Sequence, residues 1–141
     1  MSSFYEYFKE NMEGMGLPAP ESLFGSVTSA VATASTLLGQ IDTFGERVTI
    51  GELLRAGTKL EQLAMIGACS AAFYVGAVIG SIAVATGRAL GNGTTLGDVL
   101  FTAQKLDLMA DWLAHCLHRY PGMYQTATSN RASYRFLGHV A

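Results

Sequence analysis

Charge is what this sequence has least of. Only 14% of its 141 residues are Asp, Glu, Lys or Arg, where an ordinary soluble domain carries about 25%. Half the residues are apolar, which excludes intrinsic disorder, a state that needs low hydrophobicity and high net charge. A basic excess is missing too: 9 Lys+Arg stand against 11 Asp+Glu, net −2, which argues against a protein held to nucleic acid by phosphate contacts. Cysteine is scarce. Cys69 and Cys116 are too few for a secreted fold stapled by disulfides, and their apolar surroundings suit reduced, buried thiols. The opening MSSFYEYFKENMEGMG is acidic and has no apolar stretch of the signal-peptide kind. Export, if it occurs, is expected to use a route that reads the folded protein. No G-x-S-x-G, P-loop, H-E-x-x-H or C-x-x-C motif is present. The expectation is therefore a protein that is not an enzyme, with no catalytic residue, no cofactor and no metal.

What is there is apolar and helical. The length supports one domain, 1–141, with a modest core. Mean hydropathy is +0.28, between a soluble globule and a membrane protein. Residues 1–61 carry eight acids and four bases, residues 62–141 three acids and five bases, and the 26 positions between Glu61 and Arg88 carry none. Helix signals dominate, and the expected fold is all-α: a compact bundle of about five or six helices around a long apolar central helix. Phe4, Tyr5, Phe8 and Met12 predict a short first helix ending at Gly14–Gly16. Leu17-Pro18-Ala19-Pro20 is an extended breaker. A second helix is expected over about 21–41. Thr49-Ile-Gly-Glu52 is a capping box opening a third, which Gly57 interrupts. Thr95-Leu-Gly-Asp98 has the same layout and opens a helix expected to run to about Arg119, with Pro121-Gly122 beyond it. Residues 49–64 and 95–110 align without gaps at a period of 46, either by duplication or by convergent capping. A short helix near 130–138 is one reading of the tail.

The central segment is LAMIGACSAAFYVGAVIGSIAVATG, Leu63–Gly87. As one helix its 25 residues would span roughly 38 Å, more than the roughly 30 Å hydrocarbon core of a bilayer. Small residues line one ridge at steps of four, Ala68, Ala72, Gly76 and Gly80, with Ala83, Gly87 and Gly91 following. Such ridges let helix backbones approach closely in membranes; the other reading is one tight crossing in a soluble bundle. Ala68, Ala72, Gly76, Gly80, Gly87 and Gly91 are the candidate packing residues. Leucine at Gly76 or Gly80 is expected to block membrane packing while leaving the protein soluble. A second uncharged stretch runs from Ser22 to Ile41, where Ser22, Ser26, Ser29, Thr33, Thr36 and Gln40 recur as one polar stripe. This stripe is the candidate pore lining, since polar groups in membranes face cavities or other helices; the alternative is a buried helix whose hydroxyls bond to i−4 carbonyls. The membrane-inserting segments are thus about 22–41 and 63–91.

The glycine ridge GAVIGSIAVATGRALG (76–91), in so small a chain, resembles the small glycine-zipper, pore-forming antibacterial effectors of the type VI secretion system. The logic is also similar to that of colicin pore-forming domains, in which a buried hydrophobic hairpin inserts, although those domains are larger. The resemblance implies a secreted toxin, soluble in the producer's cytoplasm and delivered without a signal peptide to the target cell's inner membrane. It further implies membrane lipid as a partner, a cognate immunity protein, passage through the Hcp tube protein of the secretion apparatus, and a homo-oligomer in the membrane. Two other classes compete. One is a helical adaptor or immunity-type binding module whose apolar helix is merely its core. The other is a small helical metalloprotein: on one continuous helix Asp107, Asp111, His115 and His118 would fall within an arc of roughly 80° and offer carboxylates and imidazoles to zinc or iron. The aromatics Phe4, Tyr5, Tyr7, Phe8, Trp112, Tyr120, Tyr124, Tyr134 and Phe136 gather toward the two ends of the chain, as core and rim or as an interfacial belt.

Overall fold

Helix boundaries follow local capping chemistry where that chemistry is strong. The computed structural model describes residues 3–87, 94–128 and 130–138. Helix α1 (Ser3–Gly14) closes in a Schellman motif: the Leu17 N–H donates to the Met12 carbonyl at 3.0 Å and the Gly16 N–H to the Glu13 carbonyl at 2.9 Å, with Gly16 at φ +76, a conformation cheap only for glycine. The proline linker is then tied down by two tyrosines, Tyr5 donating to the Ala19 carbonyl (2.7 Å) and Tyr74 to that of Pro18 (2.8 Å).

The expected helix over 21–41 is two. Helix α2 (Glu21–Phe24) stops at Gly25, and Ser26 caps α3 (Val27–Phe44) by accepting the Ser29 N–H at 3.1 Å. A serine that satisfies a helix-start donor competes with its own place inside a helix. Helix α4 (Ile50–Arg55) opens on the expected Thr49/Glu52 capping box and ends at Gly57, φ +101.

Leu63–Gly87 is likewise not one helix, which corrects the expectation of a 25-residue span. Glu61–Ile66 is a 3-10 turn, and an α-helix, α5, begins only at Ala71 and runs to Thr86. The break has a long-range cause. Residues 67–71 pair with 48–51: Ile50 N–H to the Cys69 carbonyl, Gly51 N–H to that of Gly67 and Ala71 N–H to that of Val48, each 2.9 Å. Ser70 then caps α5 by accepting the Phe73 N–H at 3.1 Å.

The expected 95–119 helix also divides. Helix α6 (Leu96–Lys105) has its Thr95/Asp98 capping box, but a second Schellman motif ends it. The Leu108 N–H reaches the Ala103 carbonyl at 2.7 Å, and Asp107 takes the left-handed position at φ +61. Helix α7 (Leu113–Arg119) follows, then 3-10 turns at Pro121–Met123 and Arg131–Ser133, and α8 (Tyr134–Leu137). Among the described residues the chain is all-α, with eight α-helices and no strand; an isolated bridge joins Thr49 and Ser70. Helix α5 lies at the centre, every residue from Ala71 to Ala85 buried, with α1, α3, α6, α7 and the 121–123 turn packed on it. Because it is apolar nearly all round, burial on every side is the only arrangement water permits.

Candidate functional site

The enclosed helix and the groups that hold it are the candidate site. On α5 the small residues mark where neighbours come closest. A Cβ added at Gly80 would lie 2.5 Å from the Met123 carbonyl oxygen, and one at Gly76 would lie 2.9 Å from the Cys116 sulfur and 3.3 Å from that of Met123. The two glycines therefore seat α7 and the 121–123 turn. Leucine at Gly80 would therefore displace backbone in the folded protein as well as alter the ridge. Ala72 is buried on the same helix, Ala68 is exposed in the turn before it, and Gly87 is the exposed C-cap. Gly91, and with it the end of the 63–91 segment, lies outside the described residues.

The hydroxyl stripe is distributed over two helices. Ser22 lies on α2 and accepts from Gln62 at 3.3 Å, while Ser26 and Ser29 form the α3 cap. Thr33 is buried and donates to the Leu23 carbonyl at 2.9 Å; Thr36 donates to its i−4 carbonyl, Ala32, at 3.0 Å. Gln40 is half-buried near the end of α3. In this conformation the stripe faces the rest of the bundle and water in turn, and much of its hydrogen-bonding capacity is used locally.

A polar network that sequence reasoning missed fastens α5 to both ends of the chain. Asn11, on the buried face of α1, donates to Ser81 Oγ (2.8 Å) and to the Met123 carbonyl (2.9 Å). Arg131 donates from Nε to the Gly122 carbonyl (2.9 Å) and from Nη2 to the Asn11 carbonyl (3.0 Å) and, in a short contact, to Asn11 Oδ1. Burial pulls the Arg131 pKa below its ordinary value, with the Tyr134 and Glu10 charges opposing the shift. The one available signal was Asn11 standing between Phe8, Met12 and Met15 on a face that is otherwise apolar.

Burial also pushes both thiols up to about 12, Cys69 with an added contribution from Cys116, which favours their protonated form near neutral pH. Cys69 is buried in the turn before α5 rather than in a helix, and Cys116 on α7 is half-buried. The Asp107, Asp111, His115 and His118 face does not form, because α6 ends at Lys105 and α7 starts at Leu113. Among the described residues no group of three or more His, Cys, Asp or Glu side chains is placed to hold a metal. The terminal aromatics divide: Phe8 stacks on Phe24 at 4.9 Å and Tyr134 and Tyr120 surround Phe73, whereas Tyr7 and Phe136 are exposed.

No helix among the described residues is long and apolar enough to cross a membrane. Comparison with protein-family models, curated proteins and solved structures yields no match for this chain.

Proposed function

We propose that this protein is an antibacterial toxin that inserts into the inner membrane of a target cell and forms an ion-permeable pore, dissipating ion gradients. The observation that carries this reading is the burial of every residue of an uncharged segment, Ala71–Ala85, beneath α1, α3, α6, α7 and the 121–123 turn, with the chain's charges all outside it. Such an arrangement is soluble until a bilayer offers the segment an alternative solvent. Transfer then exchanges protein neighbours for acyl chains, and two packings of one sequence can differ by only a few kcal/mol.

Lipid also changes the backbone problem. At 16 residues, α5 is about 24 Å long, short of the roughly 30 Å hydrocarbon core. In hydrocarbon the Gly67 and Cys69 carbonyls would lose their N–H partners on Gly51 and Ile50, and the Ala71 N–H its Val48 carbonyl, and the segment would have to satisfy itself within a helix. Fusion of 61–66 with α5 follows, giving one uncharged helix over Leu63–Gly87. Ala72, Gly76 and Gly80 would then offer their ridge to a second helix or a second copy, and the α3 hydroxyls would face the passage. Proteins that meet the folded form, an immunity protein and the Hcp tube, complete the proposal.

The adaptor or immunity-type reading has one observation in its favour: Gly76 and Gly80 are used inside the monomer to seat Cys116 and Met123. Liposome leakage and planar-bilayer current separate the two. The toxin reading requires dye release and stepwise conductance from purified protein; material that stays aqueous beside lipid and carries no current refutes it.

A further inference from the structure

Residues 130–138 cross the end of the bundle where α1 stops and α5 starts, and they are held by polar contacts and by one buried ring, Tyr134, which meets Phe73 and Tyr120 edge-on. The Arg135 N–H donates to the Met15 carbonyl (3.2 Å), and the Gly138 carbonyl accepts the Ser70 N–H (2.7 Å) at the head of α5. Tyr134 accepts the Gly122 N–H at 3.1 Å, and Arg131 adds its bonds to Asn11 and Gly122. Tyr134 and Gly138 are buried, while Ala132, Ser133, Arg135, Phe136 and Leu137 are exposed. Segments with few buried apolar contacts open first, and hydrogen bonds to water replace those lost.

The outer face of this strap has the chemistry of a bilayer interface. Phe136 is 57% exposed, Leu137 53% and nearby Met65 79%. Met65, Phe136 and Arg135 line one open groove of about 470 Å³, with Leu17, Pro18 and the acid Glu13. The Arg135 guanidinium lies 4.5 Å from the Phe136 ring centroid. Apolar tips beside a guanidinium suit an anionic lipid surface, where the tips enter the interface and the cation meets phosphate.

We propose that residues 130–138 are a membrane-sensing clasp: anionic headgroups draw Arg135 and then Arg131 away, and departure of the strap uncovers the head of α5. Loss of the Gly138 carbonyl frees the Ser70 N–H, which lets the helix grow backward through the 67–70 turn. The consequence of release rests on the pore-forming reading; the clasp itself does not.

The test uses the full chain carrying Gly138→Cys in a Cys116→Ala background. An ideal Cβ at Gly138 lies 3.0 Å from Cys69 Sγ, and the backbone there is ordinary right-handed, φ −77. That separation suits a disulfide to Cys69. The Phe73 ring, 2.6 Å from the added Cβ, must turn aside, so the reduced form of the same variant is the control. Hydrogen exchange of the 71–75 amides and dye release are read beside phosphatidylcholine vesicles with and without phosphatidylglycerol. On phosphatidylglycerol vesicles the reduced form is expected to exchange at least about tenfold faster than the oxidised form, with no such difference on phosphatidylcholine alone. Equal exchange in the two forms overturns the clasp. Accelerated exchange without dye release leaves the clasp standing and removes the pore. Should the variant not fold, Arg135→Gln serves in its place, and its affinity for phosphatidylglycerol vesicles is expected to fall about fivefold; an unchanged affinity overturns the sensing role.

Discussion

Replacing Gly80 by alanine tests the packing at the centre of the molecule, because sequence and structure predict opposite signs. In an isolated helix the change gains about 1 kcal/mol. Here the new methyl would lie 2.5 Å from the Met123 carbonyl oxygen and 3.0 Å from its carbon, where ordinary contact begins at 3.4 Å. The obstacle is backbone, so it cannot rotate away, and the same carbonyl accepts the Asn11 side chain at 2.9 Å. Overpacking of this kind costs about 1–3 kcal/mol, and a strained or broken hydrogen bond adds about 1 kcal/mol. The net expectation is a loss of about 1–3 kcal/mol, several degrees in Tm for a chain of this size. Gly39 on α3 supplies the internal control: it is exposed, and nothing lies within 4 Å of its added Cβ. Gly39→Ala should therefore gain up to about 1 kcal/mol. Urea titrations followed by far-ultraviolet circular dichroism and by Trp112 fluorescence give both midpoints. If Gly80→Ala is stabilised as much as Gly39→Ala, the close crossing of α5 with the 121–123 turn is refuted.

Asn11→Ala should be among the most damaging small changes, at about 2–4 kcal/mol, because Ser81, the Met123 carbonyl and Arg131 all lose a partner at once; a urea midpoint within about 0.5 kcal/mol of wild type would show that the network holds nothing. Alkaline pH should destabilise the fold. The thiols of Cys69 and Cys116 ordinarily titrate near 9 and are pushed up to about 12 by burial, so the folded state holds protons that the unfolded state releases. That contribution is complete below pH 9 and is lost as pH rises toward 12, and burial raises the Tyr74 hydroxyl in the same direction. Thermal melts between pH 8 and 11 should show Tm falling, with a shallower fall in Cys69→Ala/Cys116→Ala; identical slopes would exclude the thiols as the cause.

What the amino-acid sequence determined here is what operates within about four residues. The Thr49/Glu52 and Thr95/Asp98 boxes start their helices because the cap and its third residue satisfy each other's donors. Gly16 and Gly57 end theirs because only glycine enters the left-handed region freely. The nearly all-round apolar character of AAFYVGAVIGSIAVA likewise required that residues 71–85 be hidden from water. Three decisions belonged to tertiary structure. Asp107 ends α6 in the left-handed position without a glycine to announce it, and Leu108 beyond it is fully buried in the core, so the expected acid-and-histidine face never formed. The 67–70 turn interrupts an apolar run that favours helix, because its backbone finds partners on 48–51. Asn11, Ser81, Met123 and Arg131 meet across sequence separations of 70, 112 and 120. No local periodicity encodes such meetings; they exist only once the helices have packed, since buried polar groups then bond to whatever partner the packing leaves within reach.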